Sequence, residues 1–372
     1  MTTDSSAWAV LPVTSLADLG ALGEQIATNN GQSSEVTRVS RHGTGPDLLF
    51  KRYKEPLGDA DSDRLDELVA FGRSDAPAGR PSREVLLSRT SWPVARVTDD
   101  TSATVGCLIP MAPDPFRSDG GRYREIDTLA RPDTRLARNG GTPPTAEQRI
   151  TACQSLVGIA VALEQRGLVY SDWNYANAFW NPADYSVYLI DMDGCAKGTG
   201  TDIHQPGWQD PRARTGIPAD LSTDRYRVAL LTARCLTGER NFAEMLHTLD
   251  DPPSGVPRKV AQLLLDMLWA ENREARPPSS ALLAALRDGP ELRFSVVRAE
   301  LPERPPARRS DTAEPLQSVI TKPVRSSASS TASSGAEGPD QSAADRQAAW
   351  AIAVLFVVIA IVVIAIGVAQ GS

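Results

Sequence analysis

Two carboxylates and one carboxamide have the residue types and the spacing that phosphoryl transfer uses. Short apolar stretches at 168–170 and 187–190 predict two strands that lead into Asp172 and Asp191, and Asn177 follows Asp172 by five residues. The Asn-Pro and Ala-Asp pairs between these stretches predict a turn, so both carboxylates can converge at one end of a small sheet. There one carboxylate can orient a substrate hydroxyl and accept its proton. The other, with an amide oxygen, can hold Mg²⁺ on a triphosphate.

The same segment resembles the protein kinase superfamily in two motifs. Residues 172–177, DWNYAN, match the catalytic loop H-R-D-x-x-x-x-N at its Asp and Asn, and residues 189–193, LIDMD, match the strand and D-F-G motif at the first Asp. The two matches are 14 residues apart, between Asn177 and Asp191. The resemblance implies that Asp172 is catalytic and that Asn177 and Asp191 bind Mg²⁺.

A predicted strand near the N-terminus carries the lysine that the resemblance implies for gripping the phosphates of ATP. In residues 48–54, LLFKRYK, Lys51 follows an apolar run as in the kinase pattern V-A-I-K, and Lys54 is the competing candidate. Glu67 lies 16 residues after Lys51 on a predicted amphipathic helix. It is the implied partner that holds the lysine against the phosphates, with Asp66 as the alternative.

Further nucleotide contacts are implied before and after this strand. Residues 29–36 lie where a G-x-G-x-x-G-x-V loop is expected, and Gly31 and Val36 match it, although Gly31 is the only one of the three glycines present. The stretch TVGCLIPM predicts a buried strand that enters a hinge. The resemblance implies that the backbone around Ile109 and Met111 pairs with adenine.

Landmarks of a helical C-terminal lobe follow in the family order. Residues 146–166 predict a long helix before the catalytic loop, and residues 204–212 resemble the end of a kinase activation segment. Residues 223–242 resemble the central helix, whose Asp224 is expected to accept backbone N–H bonds from the catalytic loop. The matches cover about residues 25–290. They imply an α+β, bilobal protein-kinase-like fold with a small β-rich N-lobe and a helical C-lobe.

Three positions near the catalytic loop depart from the family pattern. Tyr170-Ser171 replaces the His-Arg pair, so a phosphate on the activation segment cannot bind that arginine and activity is expected to be constitutive or otherwise controlled. Asn174 stands where Ser/Thr kinases usually have a lysine, which leaves the substrate class open. Asp193 replaces the glycine of D-F-G and is a further candidate metal ligand.

The activation segment must also be anchored in an unusual way. Arg212 stands where the glutamate of A-P-E pairs with a C-lobe arginine, here Arg276. Two arginines cannot form that ion pair. Another residue must anchor the segment, and Asp210 is a candidate substitute for the glutamate.

Composition excludes several classes of protein. The 372 residues carry a net charge of −7, which argues against a nucleic-acid partner. The four cysteines are far apart in sequence and no C-x-x-C is present, so neither a disulfide scaffold nor a structural zinc site is expected. This cysteine usage is typical of a reducing compartment.

The C-terminus predicts a membrane anchor. The stretch AAWAIAVLFVVIAIVVIAIGVA holds no charged residue and, as a helix, would be about 33 Å long, enough to cross the bilayer. No signal peptide is recognised at the N-terminus, so the kinase-like domain is expected in the cytoplasm, held at the cell membrane by a single-pass helix. The predicted organisation is an N-terminal extension at 1–24, the kinase-like domain at 25–300, a disordered Pro/Ser/Ala-rich linker at 301–347, the transmembrane helix at 348–369 and a tail at 370–372.

Three functional hypotheses follow. The first is a membrane-anchored, ATP- and Mg²⁺-dependent Ser/Thr protein kinase acting on a protein substrate, with Asp172 and Lys51 as its catalytic residues. The second is a pseudokinase that binds nucleotide or partners as a scaffold, which the sparse glycine loop and Arg212 favour. The third is a kinase-fold phosphotransferase for small molecules, with which Asn174 is compatible. Retention of Lys51 and the acidic positions favours the first.

Overall fold

A β-sheet forms the N-terminal part of the protein, and helices dominate the part that follows. A computed structural model describes residues 11–28, 33–39, 47–73, 81–138, 141–201, 204–214, 216–289, 292 and 294–304. The chain divides into two units, Met1–Ala307 and Arg308–Ser372, and all described residues belong to the first. The strands are β1 (Val13–Ser15), β2 (Leu22–Thr28), β3 (Ser33–Val39), β4 (Leu48–Leu57), β5 (Ala95–Thr98), β6 (Thr104–Pro110), β7 (Leu168–Val169), β8 (Ala178–Trp180), β9 (Val187–Leu189), β10 (Ala196–Lys197), β11 (Thr199–Gly200) and β12 (Ala219–Asp220). The helices are α1 (Asp59–Arg73), α2 (Pro81–Arg89), α3 (Asp133–Arg138), α4 (Ala146–Glu164), α5 (Leu221–Thr237), α6 (Phe242–Asp250), α7 (Arg258–Trp269) and α8 (Ser279–Leu286).

The N-terminal sheet has six strands in the order β1-β5-β6-β4-β3-β2. All neighbours pair antiparallel except β1, which runs parallel to β5. Gly106 of β6 is required for close pairing with β4, because a Cβ there would lie 2.3 Å from the carbonyl oxygen of Lys51. The domain boundary predicted at residue 25 falls within β2. Since β1 also belongs to the sheet, the sheet includes part of the predicted 1–24 extension.

Strand β4 presents two faces because side chains alternate along a strand. Leu48 and Phe50 are buried in a cluster on one face. On the other face, Leu49 and Tyr53 pack in a cluster with Leu65 and Val69 of α1. Cys107 and Ile109 of β6 complete this cluster. Lys51 therefore lies on the face of the sheet that α1 covers.

The helical part is built around α4 and α5, both of which have defined ends. Thr145 and Gln148 form a capping box at the start of α4, and Gly167 follows the helix with φ +64°. Asp220 caps α5 through Thr223 N, and Gly238 ends it in the left-handed conformation. The helix predicted at 146–166 is thereby confirmed within two residues. These two helices and α7 and α8 contribute most of the larger apolar core.

The last described residues run back along this helical part. Ala299 N donates to Trp269 O at 3.0 Å, and Trp269 Nε1 donates to Glu300 O at 2.9 Å. His247 Nε2 lies 2.9 Å from Pro302 O, so the contact extends past the predicted boundary at residue 300. Within the described ranges, no helix combines the length and the apolar character needed to cross a membrane. The predicted span at 348–369 lies outside the described residues.

Candidate active site

The catalytic loop and the segment containing Asp191 meet at one end of a small β-ribbon. Strands β8 and β9 pair antiparallel, with Ala178 opposite Leu189. Just beyond them, Ile190 N donates to Asn177 O at 2.9 Å. The predicted strands at 168–170 and 187–190 do not pair with each other, since β7 pairs with β10 and β9 pairs with β8. Asp172 still lies at this end of the ribbon, because the side chain of Asn177 binds its carboxylate.

Two amides hold the carboxylate of Asp172 in place. Asn174 Nδ2 donates to Asp172 Oδ1 at 2.8 Å, and Asn177 Nδ2 donates to Asp172 Oδ2 at 2.7 Å. Burial raises the pKa of Asp172, although the hydrogen bonds from the two amides lower it in part. Asn174, at the position where the resemblance would place a lysine, thus binds the Asp172 carboxylate.

Helix α5 fixes the backbone immediately before Asp172. Asp224 accepts hydrogen bonds from Tyr170 N at 2.7 Å and from Ser171 N at 2.9 Å, as predicted from the sequence. One turn along the helix, the fully buried Arg227 donates to Ser171 O at 2.5 Å and to Trp208 O at 3.2 Å. Ser171 has a φ of +67°, and both of its backbone polar groups are held by α5. Helix α5 therefore anchors the backbone that leads into Asp172 through two side chains, Asp224 and Arg227.

The ionisation of Asp224 is expected to make stability depend on pH. Burial raises the pKa of Asp224 to about 6, against its hydrogen bonds to Tyr170 and Ser171 and the charge of Arg227. Because the folded-state pKa exceeds the unfolded value, this group contributes stability below about pH 4 that is lost as the pH rises through 6. The free energy of unfolding of wild type and of Asp224→Asn can be measured by urea unfolding at several pH values. The difference, wild type minus variant, should decrease as the pH is raised from about 4 to about 7. A difference that stays constant or rises would contradict the assignment.

Lys51 is buried between two carboxylates. Its Nζ lies 2.7 Å from Asp191 Oδ1 and 2.7 Å from Asp193 Oδ1. Burial alone would lower the pKa of Lys51, but the charges of Asp193 and Asp191 outweigh it and raise the pKa. Lys54, the competing candidate, is exposed on the same strand. The geometry therefore favours Lys51 over Lys54.

The predicted pairing of Lys51 with Glu67 is wrong for this structure, and so is the alternative with Asp66. Glu67 is exposed on α1 and lines an open groove with Arg64 and Lys197, whereas Asp66 binds Arg96 at 2.7 Å. The cause is helical periodicity. Glu67 lies about 200° around the helix from Leu65, on the side opposite the buried stripe.

Both carboxylate oxygens of Asp193 bind protein groups, which argues against Asp193 as a metal ligand. Its Oδ1 binds Lys51, and its Oδ2 accepts a hydrogen bond from Tyr53 OH at 3.0 Å. Among the residues that the structure describes, no group of three or more His, Cys, Asp or Glu side chains is arranged to hold a metal. Asp191 is the more open of the two carboxylates, with 35% of its side chain exposed compared with 6% for Asp193.

The residues expected to contact the nucleotide base lie beside this lysine. Ile109 is buried in the cluster that faces α1, and Val36 and Met111 pack against it. Met111 N donates to Asp47 O at 2.8 Å. Gly31 lies outside the described residues.

The activation-segment equivalent is anchored by the predicted substitute acid. Arg276 Nη1 and Nη2 lie 2.6 and 2.7 Å from the two carboxylate oxygens of Asp210, and both side chains are completely buried. Arg212 instead places its guanidinium 5.3 Å from the ring centre of Trp269. The expectation that Asp210 replaces the missing glutamate is confirmed.

Sequence reasoning missed Tyr53, Arg227 and the bond from Asn174 to Asp172. Two of these had a readable signal. Tyr53 lies two residues from Lys51 on a strand, hence on the same face, and Arg227 lies three residues after Asp224 on a helix. Nothing in the local pattern indicated that Asn174 would turn toward Asp172.

Comparison with known proteins defines the class of fold. No protein-family model and no curated protein matches the sequence. Among solved structures, the chain is similar to the ROP18 kinase domain determined in complex with AMP-PNP and sucrose. The TM-score is 0.52 at 17% sequence identity, over 72% of this chain and 79% of that one. The protein therefore has a protein-kinase-like α+β fold, with a β-rich N-terminal sheet and a helical C-terminal part.

Proposed function

We propose that the protein is an ATP- and Mg²⁺-dependent phosphotransferase, and specifically a Ser/Thr protein kinase. The observation that supports this most strongly is the arrangement around Asp172. Its carboxylate is fixed by Asn174 and Asn177, and the backbone of Asn177 is tied by a hydrogen bond to the residue before Asp191. A buried Lys51 lies on the other side of Asp191. A scaffold that only binds partners would not need the four positions Lys51, Asp172, Asn177 and Asp191.

Each residue has a defined task in this proposal. Asp172 orients the substrate hydroxyl and accepts its proton, and Lys51 binds the phosphates of ATP. Asn177 and Asp191 would hold Mg²⁺, since carboxylate and amide oxygens are the ligands this ion takes and Asp191 is partly exposed. Bound Mg²⁺ neutralises charge on the triphosphate. The protein contributes positioning and fixed charge, with no covalent intermediate on its own side chains.

The proposal is tested by incubating the full chain with ATP labelled at the γ-phosphate, in Mg²⁺ or in excess EDTA. Label that appears on protein only with Mg²⁺ would support a protein kinase. Bound ATP without any transfer would favour the scaffold, and label recovered in small molecules added as acceptors would favour the small-molecule phosphotransferase. Failure to bind ATP at all would overturn the proposal.

We also propose that the C-terminal segment anchors the protein in the cell membrane, with the kinase-like domain in the cytoplasm. The support is the uncharged stretch at 348–369, which is long enough to cross a bilayer as a helix. On expression in cells, the full chain is expected in the membrane fraction and to require detergent for release. A chain ending at residue 347 should be recovered without detergent. Equal membrane partition of both chains would contradict the anchor.

A further inference from the structure

We propose that Asp193 positions Lys51 for the nucleotide phosphates, a task that kinase resemblance would assign to an acid on α1. This inference rests on the proposed function, because it concerns how the phosphate-binding lysine is held. It makes Asp193 a positioning residue, since it acts through Lys51.

No acid of helix α1 contacts the lysine. Asp61, one turn before Leu65 on the same face, is at the exposed start of the helix and pairs with Arg64. The buried positions of α1 are Leu65, Leu68, Val69 and Gly72, which recur at helical spacing. Leu65 and Val69 pack directly against the face of β4 on which Lys51 lies. An acid at position 67 points away from this face. The site must therefore obtain a partner for the lysine from another element.

Asp193 meets the requirements for that partner. It lies in the short 3₁₀ turn 192–194, and its Oδ1 is 2.7 Å from Lys51 Nζ. Its other carboxylate oxygen is fixed by Tyr53 OH, which is two residues from Lys51 on the same strand. Only 6% of the Asp193 side chain is exposed, so the pair is shielded from water and from screening by salt.

The two acids that contact Lys51, Asp191 and Asp193, have different functions in this proposal. Asp191 is the more exposed and is the proposed Mg²⁺ ligand, so in the working site its charge is shared with the metal. If Asp191 were the lysine's only partner, metal binding would leave Lys51 without a dedicated counter-ion. Asp193 supplies a second, deeper carboxylate that stays with the lysine. The 3₁₀ turn at 192–194 and Asp191 just before it then position both the lysine and the metal ligand. The alignment of the lysine does not depend on the position of α1.

The test compares matched carboxylate-to-amide changes in the full chain. Asp193→Asn is expected to lower kcat/KM for ATP by about 10- to 100-fold at a temperature well below the unfolding transition. Glu67→Gln should change it less than about twofold, as should Asp63→Asn, an exposed control on α1. Tyr53→Phe, which removes one hydrogen bond to Asp193, should give an intermediate loss. In a Lys51→Met background, Asp193→Asn should cause no further loss of ATP·Mg²⁺ affinity, because the residue through which it acts is absent.

A purely structural function for Asp193 predicts a different pattern. Asp193→Asn would then lower the melting temperature but leave the KM for ATP and kcat unchanged, and this would overturn the inference. A large loss in Glu67→Gln with little in Asp193→Asn would also overturn it.

Thermal unfolding separates this inference from the proposed function. The melting-temperature shift of the Lys51→Met, Asp193→Asn double variant should be clearly smaller than the sum of the single shifts, whereas Lys51→Met with Glu67→Gln should be additive. If wild type bound no ATP but the shifts at positions 51 and 193 were still non-additive, the pair would exist but the proposed phosphotransferase function would be wrong. Asp193 would then not position Lys51 for nucleotide. Additive shifts at 51 and 193 would refute the pair itself.

Discussion

Asp172→Asn is expected to slow phosphate transfer from ATP by about 10²- to 10⁴-fold, the range typical of losing a general base. The carboxamide cannot accept the proton of the substrate hydroxyl. The carboxamide has one acceptor oxygen and one NH₂ group that can only donate. The asparagine side chain therefore cannot accept hydrogen bonds on two separate atoms from Asn174 and Asn177, as the Asp172 carboxylate does. ATP·Mg²⁺ affinity should change by less than about threefold, because Asp172 is not a proposed phosphate or metal contact. Steady-state rates and equilibrium ATP binding of the full chain measure the two effects separately.

The control for this prediction is Asp100→Asn, which makes the same chemical change at an exposed turn residue. Its transfer rate should equal that of wild type. If Asp172→Asn retained the wild-type rate, Asp172 would not be the base and the catalytic loop would be assigned wrongly. If it lost both ATP binding and its folded structure, the unfolding curve would reveal that the rate loss came from misfolding.

Asp210→Asn is expected to lower the free energy of unfolding by about 3–5 kcal/mol. The change leaves the guanidinium of Arg276 without a charged partner at a site where both side chains are completely buried. Arg276 Nη1 also donates to Ser222 O at 3.0 Å, which cannot replace the lost charge. Urea unfolding of wild type and variant gives the difference directly.

The matched control is Asp47→Asn, which removes one partner of an ion pair with Arg38 in which 45% of each side chain is exposed. Exposed pairs contribute about 0–1 kcal/mol, so this variant should be close to wild type. A loss below about 1 kcal/mol for Asp210→Asn would show that the buried pair does not anchor this segment. The loss arises because one buried charge is left without its partner. Replacing both residues by apolar side chains is a different change, and this prediction does not apply to it.

The part of the site that could be predicted from sequence is the part encoded by short-range spacing. Asn177 and Asp191 flank one strand–turn–strand unit, and Asp172 lies five residues before Asn177, so short-range spacing suffices to bring the three together. Asp224 and Asp210 were also predicted, although their partners are distant in sequence. They could be predicted because the resemblance to kinases indicated which distant segments meet. Local sequence pattern alone does not give that information.

The Lys51 partner shows where spacing alone misleads. A distance in sequence placed Glu67 near the lysine, but the apolar stripe of α1 decides which face is buried, and Glu67 lies opposite it. The 3.6-residue period of Leu65, Leu68 and Val69 carried that information. Asp193 was predicted as a candidate metal ligand and not as the partner of Lys51, because no local rule says that a residue in that turn reaches a lysine 142 residues earlier.

Other features depended on contacts between distant segments. Strand β1 pairs parallel with β5. Nothing in the sequence of either strand indicates that the other is its neighbour. In the stretch after β6, Tyr123 stacks on Phe179 of β8 with ring centres 4.6 Å apart, a contact that no sequence pattern indicated. Such pairings are determined by how the whole chain packs, which periodicity within a window cannot report.

The central claim is that this cleft transfers phosphate to a protein hydroxyl through Asp172. The most direct measurement is mass-spectrometric detection of phosphoserine and phosphothreonine after the full chain is incubated with ATP, Mg²⁺ and a mixture of protein acceptors. Wild type, Asp172→Asn and Lys51→Met are assayed side by side. The account predicts ATP-dependent phosphate on serine or threonine with wild type and none with either variant. Equal phosphorylation by wild type and Asp172→Asn, or no phosphorylation by a wild-type chain that binds ATP, would contradict it.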